Sequence, residues 1–267
     1  MKKFFYKSIN RLLSFGFSIT RLSMNFDFLN KLAVYDTGHD LIRIGSENDG
    51  GYLVPNILDE IDICVSLGVG VDSKGNFKTS FEDQLVNYGI ESILFDHSVN
   101  YTGSHKFTKK FVNSYNDNEN ITLDKVINSI PKEKNILLQI DVEGGEINIL
   151  HSIKNEELKK NKILILEFHN FTNIITKRNS KIILDILDKI LKNFTICHLH
   201  PNNKGGYLYM KNIKVPNTLE ITFINNELVK FKKVINYKLP HKLDNPNFPK
   251  YPDIYLNEKF YKTNKND

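Results

Sequence analysis

The run Ile140-Asp141-Val142-Glu143-Gly144-Gly145-Glu146 sets three carboxylates within six residues, beside two glycines. Carboxylates in that density do not serve core packing, because burying them is costly. They suit a cationic ligand, a metal ion or proton transfer. Further on, Leu166-Glu167-Phe168-His169-Asn170 alternates with period two, so Glu167 and His169 share one side of a strand, away from Phe168. A carboxylate near a histidine raises the basicity of the imidazole and fixes its tautomer, as a general base requires. The trio Asp141, Glu167 and His169 could equally hold a divalent cation through oxygen and imidazole nitrogen. Solvated polar residues at a strand end are the plain alternative.

Two further stretches carry chemistry. Ser66-Leu67-Gly68-Val69-Gly70-Val71-Asp72 can turn tightly and let backbone approach a ligand. A dinucleotide fingerprint needs a third glycine where Ser73 stands, which weakens a pyrophosphate reading. Phe95-Asp96-His97 ends the next apolar run, and an acid there can accept hydrogen bonds from both hydroxyls of a ribose. NAD enzymes and methyltransferases share that device. Arg43 is one of only four arginines; with Asp49 nearby it can clamp an anionic group or form a structural pair.

These residues need elements to hold them. Short apolar runs at 61–67, 90–95, 135–140 and 162–168 read as strands. Amphipathic stretches at 77–88, 123–130, 145–152 and 182–191 read as helices between them. Runs at 194–199, 207–210 and 219–224 follow without long helices, which predicts an antiparallel end. The fold class is therefore α/β, with a doubly wound, mainly parallel sheet covered on both faces. Ligands of such sheets sit beyond the carboxyl ends of the strands, where the residues above stand.

Composition narrows the setting. The chain of 267 residues is 40% hydrophobic and 25% charged, which excludes wholesale disorder. Two cysteines, Cys64 and Cys197, exclude a disulfide framework and point to a reducing cytoplasm. The net charge of +5 is uneven: residues 1–35 carry +5, residues 227–267 carry +4, and the body between them carries −4. With so few arginines and an acidic body, a nucleic-acid partner is disfavoured. No apolar run is long enough to span a membrane. Residues 1–39 read as a basic amphipathic extension that packs on the body or lies peripherally on the inner face of an anionic membrane. Residues 40–226 read as the catalytic domain, and 227–267 as a basic tail rich in Pro and aromatic residues that staple it to the surface.

Together the motifs resemble a known family. Ile140-Asp141-Val142-Glu143-Gly144-Gly145-Glu146, with Glu167-Phe168-His169 after the following strand and Ile121-Thr122-Leu123-Asp124 before it, is similar to the FkbM-type methyltransferases. Arg43-Ile44-Gly45, Asp49-Gly50-Gly51-Tyr52, His200-Pro201-Asn202-Asn203 and Glu220-Ile221-Thr222-Phe223 resemble one branch of that family. The resemblance implies a class I (Rossmann-like) methyltransferase fold that uses S-adenosyl-L-methionine, with a divalent metal as a further option. It implies that Gly68, Gly70, Asp96, Thr122, Leu123 and Asp141 contact the cofactor. His169, Glu167 and Asp141 would be catalytic, with His169 as base oriented by Glu167. Arg43, Asp49, Tyr52, His200, Asn202 and Asn203 would contact the acceptor. The expected reaction is O-methylation of a sugar or other hydroxylated metabolite or glycan, as in polysaccharide modification. The rivals are an NAD-dependent oxidoreductase or epimerase, and a non-catalytic binding module that retains the fold.

Overall fold

Seven strands form the central sheet of the computed structural model, which describes residues 27–262. In chain order they are β1 (Ile63–Leu67), β2 (Glu91–Phe95), β3 (Lys106–Thr108), β4 (Ile136–Ile140), β5 (Asn161–Phe168), β6 (Phe194–Pro201) and β7 (Leu219–Asn225). Across the sheet they run β6-β7-β5-β4-β1-β2-β3. The pairs from β3 through β5 are parallel, while β7 lies antiparallel to both β5 and β6. The chain order reverses on either side of β1, which places a crevice at the carboxyl ends of β1 and β4. The fold is the doubly wound, mainly parallel Rossmann-like sheet with an antiparallel end.

Alternation along the strands builds two cores. Leu138 of β4 and Leu164 and Leu166 of β5 enter one; Leu137, Ile163 and Ile165 enter the other. The first core is covered by α2 (Leu123–Asn128), α3 (Glu146–Ser152) and α5 (Lys177–Leu191), with the short α4 (Asn155–Leu158) alongside. Ile183, Ile186, Leu187 and Ile190 form the buried stripe of α5, each contributing about 1.5–3 kcal/mol by leaving water. This helix starts five residues before its apolar stripe predicts, because the Thr176 side chain caps the free amide of Asn179. The second core is covered by α1 (Ser80–Leu85) and by a β-hairpin of Leu41–Gly45 and Gly51–Pro55. α1 is shorter than the expected 77–88 helix. Phe77 instead bridges Val71, and a 3-10 turn over Val86–Tyr88 ends at Gly89.

Two expectations need correcting. The run 207–210 does not join the central sheet; it pairs with Ile213–Pro216 as a separate hairpin whose Tyr207, Leu208 and Tyr209 are exposed. Nor do the tail aromatics behave alike. Tyr251 and Tyr255 are exposed, whereas Phe260 and Tyr261 are buried in the first core, with Phe260 edge-on to Phe28. Lys233–Val234 also pairs with Tyr35–Asp36, so both chain ends contribute to the same body. Residues 1–26, which hold most of the basic N-terminal stretch, lie outside the described residues. Among the described residues no helix is long and apolar enough to cross a membrane, and both cysteines are free and buried.

Candidate active site

The site begins where β1 meets β4. Gly68 has φ +96°, and a Cβ there would lie 1.7 Å from the Asp141 carbonyl oxygen, so only glycine permits this approach. The amide of Asp141 in turn donates to the Leu67 carbonyl. Asp96, at the end of β2, accepts from the Val69 amide through Oδ2 (2.9 Å) and from the Ser98 amide and hydroxyl through Oδ1. Burial works against its charge, but these hydrogen bonds outweigh it and hold the carboxyl below its usual range. It is therefore a carboxylate at neutral pH with accepting capacity to spare.

His169 follows β5 and faces the turn after β4. Its Nδ1 lies 2.9 Å from Oε1 of Glu146, a fully buried residue that opens α3. Glu146 also accepts from the Gly144 amide. With a carboxylate on Nδ1, that nitrogen carries the hydrogen and Nε2 is free to accept a proton. Nε2 lies 3.3 Å from Glu143 Oε2, 3.7 Å from Glu167 Oε1 and 3.9 Å from Asp141 Oδ1. Burial disfavours the imidazolium, but Glu146, Asp141 and Glu143 more than offset it, so His169 is more basic than an ordinary histidine. Glu143 reaches this position from a left-handed backbone (φ 51°) that costs on the order of 1 kcal/mol.

Asp141 and Glu167 are both acids beside His169. Burial and the neighbouring Glu167 charge push Asp141 well above the usual carboxylate range. Burial and Glu220, its register partner on β7, do the same to Glu167. Asn202 donates to Glu167 Oε1 at 2.9 Å, and Tyr52 lies 3.5 Å from Oε2. Asp141 Oδ1, by contrast, is buried with no hydrogen-bond partner. One donor atom from each of Asp141, Glu167 and His169 falls within 4.8 Å of the others, a spacing that a divalent cation could bridge.

These groups line one cavity of about 640 Å³, a volume typical of small-molecule sites. Gly68, Gly70, Asp96, Asp49, Tyr52, Asp141, Glu167, His169 and Asn202 all border it. Lys78 borders it too and is paired with Asp49 at 2.7 Å. At the Asp96 end the walls are His97, stacked on Phe111 with centroids 4.2 Å apart, and Val112.

Five predicted residues lie elsewhere. Thr122 caps α2 by accepting from the Lys125 amide, and Leu123 is buried in the first core. Arg43 donates to the carbonyls of Ser46 and Asn48, which holds the loop presenting Asp49. Asn203 donates to the Phe248 and Tyr251 carbonyls and so anchors the tail. His200 is buried behind Glu167, with Nδ1 3.1 Å from Glu220 Oε2 and Nε2 3.5 Å from Asp253 Oδ1. The expected orientation of His169 by Glu167 is also replaced. Glu167 faces the outer nitrogen, and Glu146 holds the inner one. Glu146 was visible as the third acid of the 141–146 run, but its inward aim depends on the Glu143-Gly144 turn. Lys78 carried no signal in the sequence.

The family described as the methyltransferase FkbM domain matches residues 23–209. No curated protein matches. A chain in the crystal structure of a fibrillarin/Nop5p complex aligns at 12% identity over 68% of this chain and 90% of that one, with a TM-score of 0.37.

Proposed function

The chain belongs to the FkbM methyltransferase family, and from that premise we propose that it moves the methyl group of S-adenosyl-L-methionine to a hydroxyl of a sugar, glycan or similar metabolite. The observation that carries this is the His169–Glu146 pair, which aims an accepting Nε2 into the cavity. The oxidoreductase rival is set aside by the family.

The residues present fit that cofactor. Gly68 and Gly70 border the cavity without side chains to fill it, Asp96 offers charged oxygens for ribose hydroxyls, and the stacked His97 and Phe111 offer an aromatic wall. The orphaned, buried Asp141 Oδ1 suits an ammonium or sulfonium neighbour. When bound, the cofactor supplies an electrophilic methyl group on a sulfonium.

The remaining work falls to the protein. A hydroxyl is a poor nucleophile until its proton is taken, and His169 Nε2 accepts that proton while Glu146 stabilises the resulting imidazolium. Asn202, Tyr52 and Asp49 offer polar contacts that orient a hydroxylated acceptor. The test is incubation of the purified protein with isotopically labelled cofactor and a glycan-containing cell extract, followed by mass spectrometry. A labelled, methylated hydroxyl compound is expected; absence of cofactor binding by calorimetry would reject the assignment.

A further inference from the structure

The hairpin that stands apart from the sheet rises from the rim of this cavity. Lys204, Gly205, Asn217 and Thr218 line the cavity, and the Asn217 amide donates to the Gly206 carbonyl to close the hairpin's base. Its strands, Tyr207–Met210 and Ile213–Pro216, are joined by Lys211 and Asn212, both with positive φ, in the geometry of a tight two-residue hairpin. Ile213 and Val215 enter the first core and Pro216 is buried beside them, while Lys214 between them is partly exposed and faces outward. The register sets Tyr209 opposite Lys214, and Tyr207, two residues earlier, shares its side of the strand, so both rings stand on the Lys214 face. They are 46% and 66% exposed, and Lys214 Nζ lies 4.7 Å from the Tyr207 ring centroid.

The face thus combines two exposed aromatic rings with a lysine between them. Residues 202–219 contain Lys204, Lys211 and Lys214 and no acid, although the body of the chain is acidic. Aromatic faces carry partial negative charge and receive the C–H edges of sugar rings, while ammonium groups pair with carboxylate or phosphate. A membrane surface fits less well. A hairpin would enter it tip first, and this tip is Lys211-Asn212, with the aromatic rings on the flank.

We propose that this outward face, with Lys204 at its foot, is an acceptor subsite for an anionic glycan. It receives the sugar units and acidic groups beyond the ring that enters the cavity. The inference rests on the cavity being the methyl-transfer site and extends it outward by ~13 Å, the length of a four-residue strand.

Calorimetry on the full chain tests it with a tetrasaccharide of alternating glucuronate and N-acetylglucosamine. Neutral maltotetraose and phosphatidylglycerol vesicles serve as comparisons. The acidic tetrasaccharide should bind at least tenfold tighter than maltotetraose. The double variant Tyr207→Ala/Tyr209→Ala and the single variant Lys214→Glu should each lose tenfold or more. Tyr88→Ala, at another exposed tyrosine, should bind as the parent does. Equal affinity in the parent and the hairpin variants would overturn the subsite, as would hairpin-dependent binding to vesicles without binding to the tetrasaccharide. Cofactor affinity, titrated separately, reports on the cavity. Its absence alongside tyrosine-dependent tetrasaccharide binding would strike the methyl-transfer reading and leave the hairpin as a glycan site.

Discussion

Glu146 Oε1 and His169 Nδ1 lie 2.9 Å apart, with the carboxylate fully buried and the ring 14% exposed. That contact fixes which nitrogen of His169 faces the cavity, and it joins the turn after β4 to the end of β5. Four predictions about the site follow from it, from the atoms around it and from the backbone beneath it.

Removing the imidazole should stop proton transfer without disturbing the cofactor end of the cavity. His169→Ala should lower the methyl-transfer rate by about 10²–10⁴-fold, the usual range for a positioned base. Cofactor affinity by calorimetry should stay within a few-fold of the parent. Full activity in this variant would remove His169 as the base.

The base works only when Nε2 is unprotonated, and its surroundings raise its pKa. The rate should therefore climb with pH through a midpoint above ~6.5, the value of an ordinary histidine. Glu146→Gln removes the nearest charge that favours the imidazolium, so its midpoint should move to lower pH while the plateau rate falls. A pH–rate profile of both proteins decides this. If Glu146 merely fills space, the variant would keep the parent midpoint.

Chelation tests the competing use of the same atoms. Nε2 can accept a proton or bind a cation, but not both at once. Turnover is expected to be unchanged after treatment with excess EDTA and desalting. Loss of activity that Mg²⁺ or Mn²⁺ restores would convert Asp141, Glu167 and His169 from proton-handling groups into metal ligands.

Gly68 and Gly75 separate strain from crowding. Both have positive φ, but a Cβ at Gly75 meets nothing, whereas one at Gly68 meets the Asp141 carbonyl at 1.7 Å. Gly75→Ala should cost only about 1–2 kcal/mol, seen as a small drop in Tm with cofactor binding retained. Gly68→Ala must push β1 and β4 apart at their tips. It should abolish cofactor binding, and it should lower Tm more than the Gly75 variant does.

The sequence made the strand tips legible because a continuous apolar run ending in an acid or glycine is a local signal. Asp96, Asp141 and the Glu167–His169 pair lie where that signal puts them. The sequence also named Tyr52 and Asp49, but how they arrive depends on distant parts of the chain. Tyr52 and Asp49 reach the cavity on a hairpin that covers the second face, and the Asp49 amide donates to the carbonyl of Asn247 in the tail. Arg43, His200 and Asn203 have the polar character of ligand contacts, but their hydrogen-bonding capacity is taken up by loop carbonyls or buried acids. Which way a polar side chain turns is decided by its tertiary neighbours, and no local period encodes that.

The last of these residues makes a prediction about stability. His200 is nearly fully buried in a row that crosses three strands, Glu167 on β5, Glu220 on β7 and His200 on β6. Burial disfavours its imidazolium, but the carboxylates of Asp253, 3.5 Å from Nε2, and of Glu220, hydrogen-bonded to Nδ1, more than compensate, raising its pKa to about 10. A pKa raised in the folded state gives stability that is complete below the unfolded value of ~6.5 and lost as pH rises towards the folded one. The urea midpoint should therefore fall between pH 7 and pH 10. His200→Asn can still donate to Glu220 but carries no charge. It should be less stable at pH 7 by about 3–5 kcal/mol, the range for a broken buried pair, and nearly flat over the same pH interval. Groups that titrate in both proteins cancel in the comparison, so parallel slopes would show that His200 is not the imidazolium that neutralises Glu220. In that case Glu167 would face an uncompensated carboxylate on the neighbouring strand, and the cause of its raised pKa would strengthen.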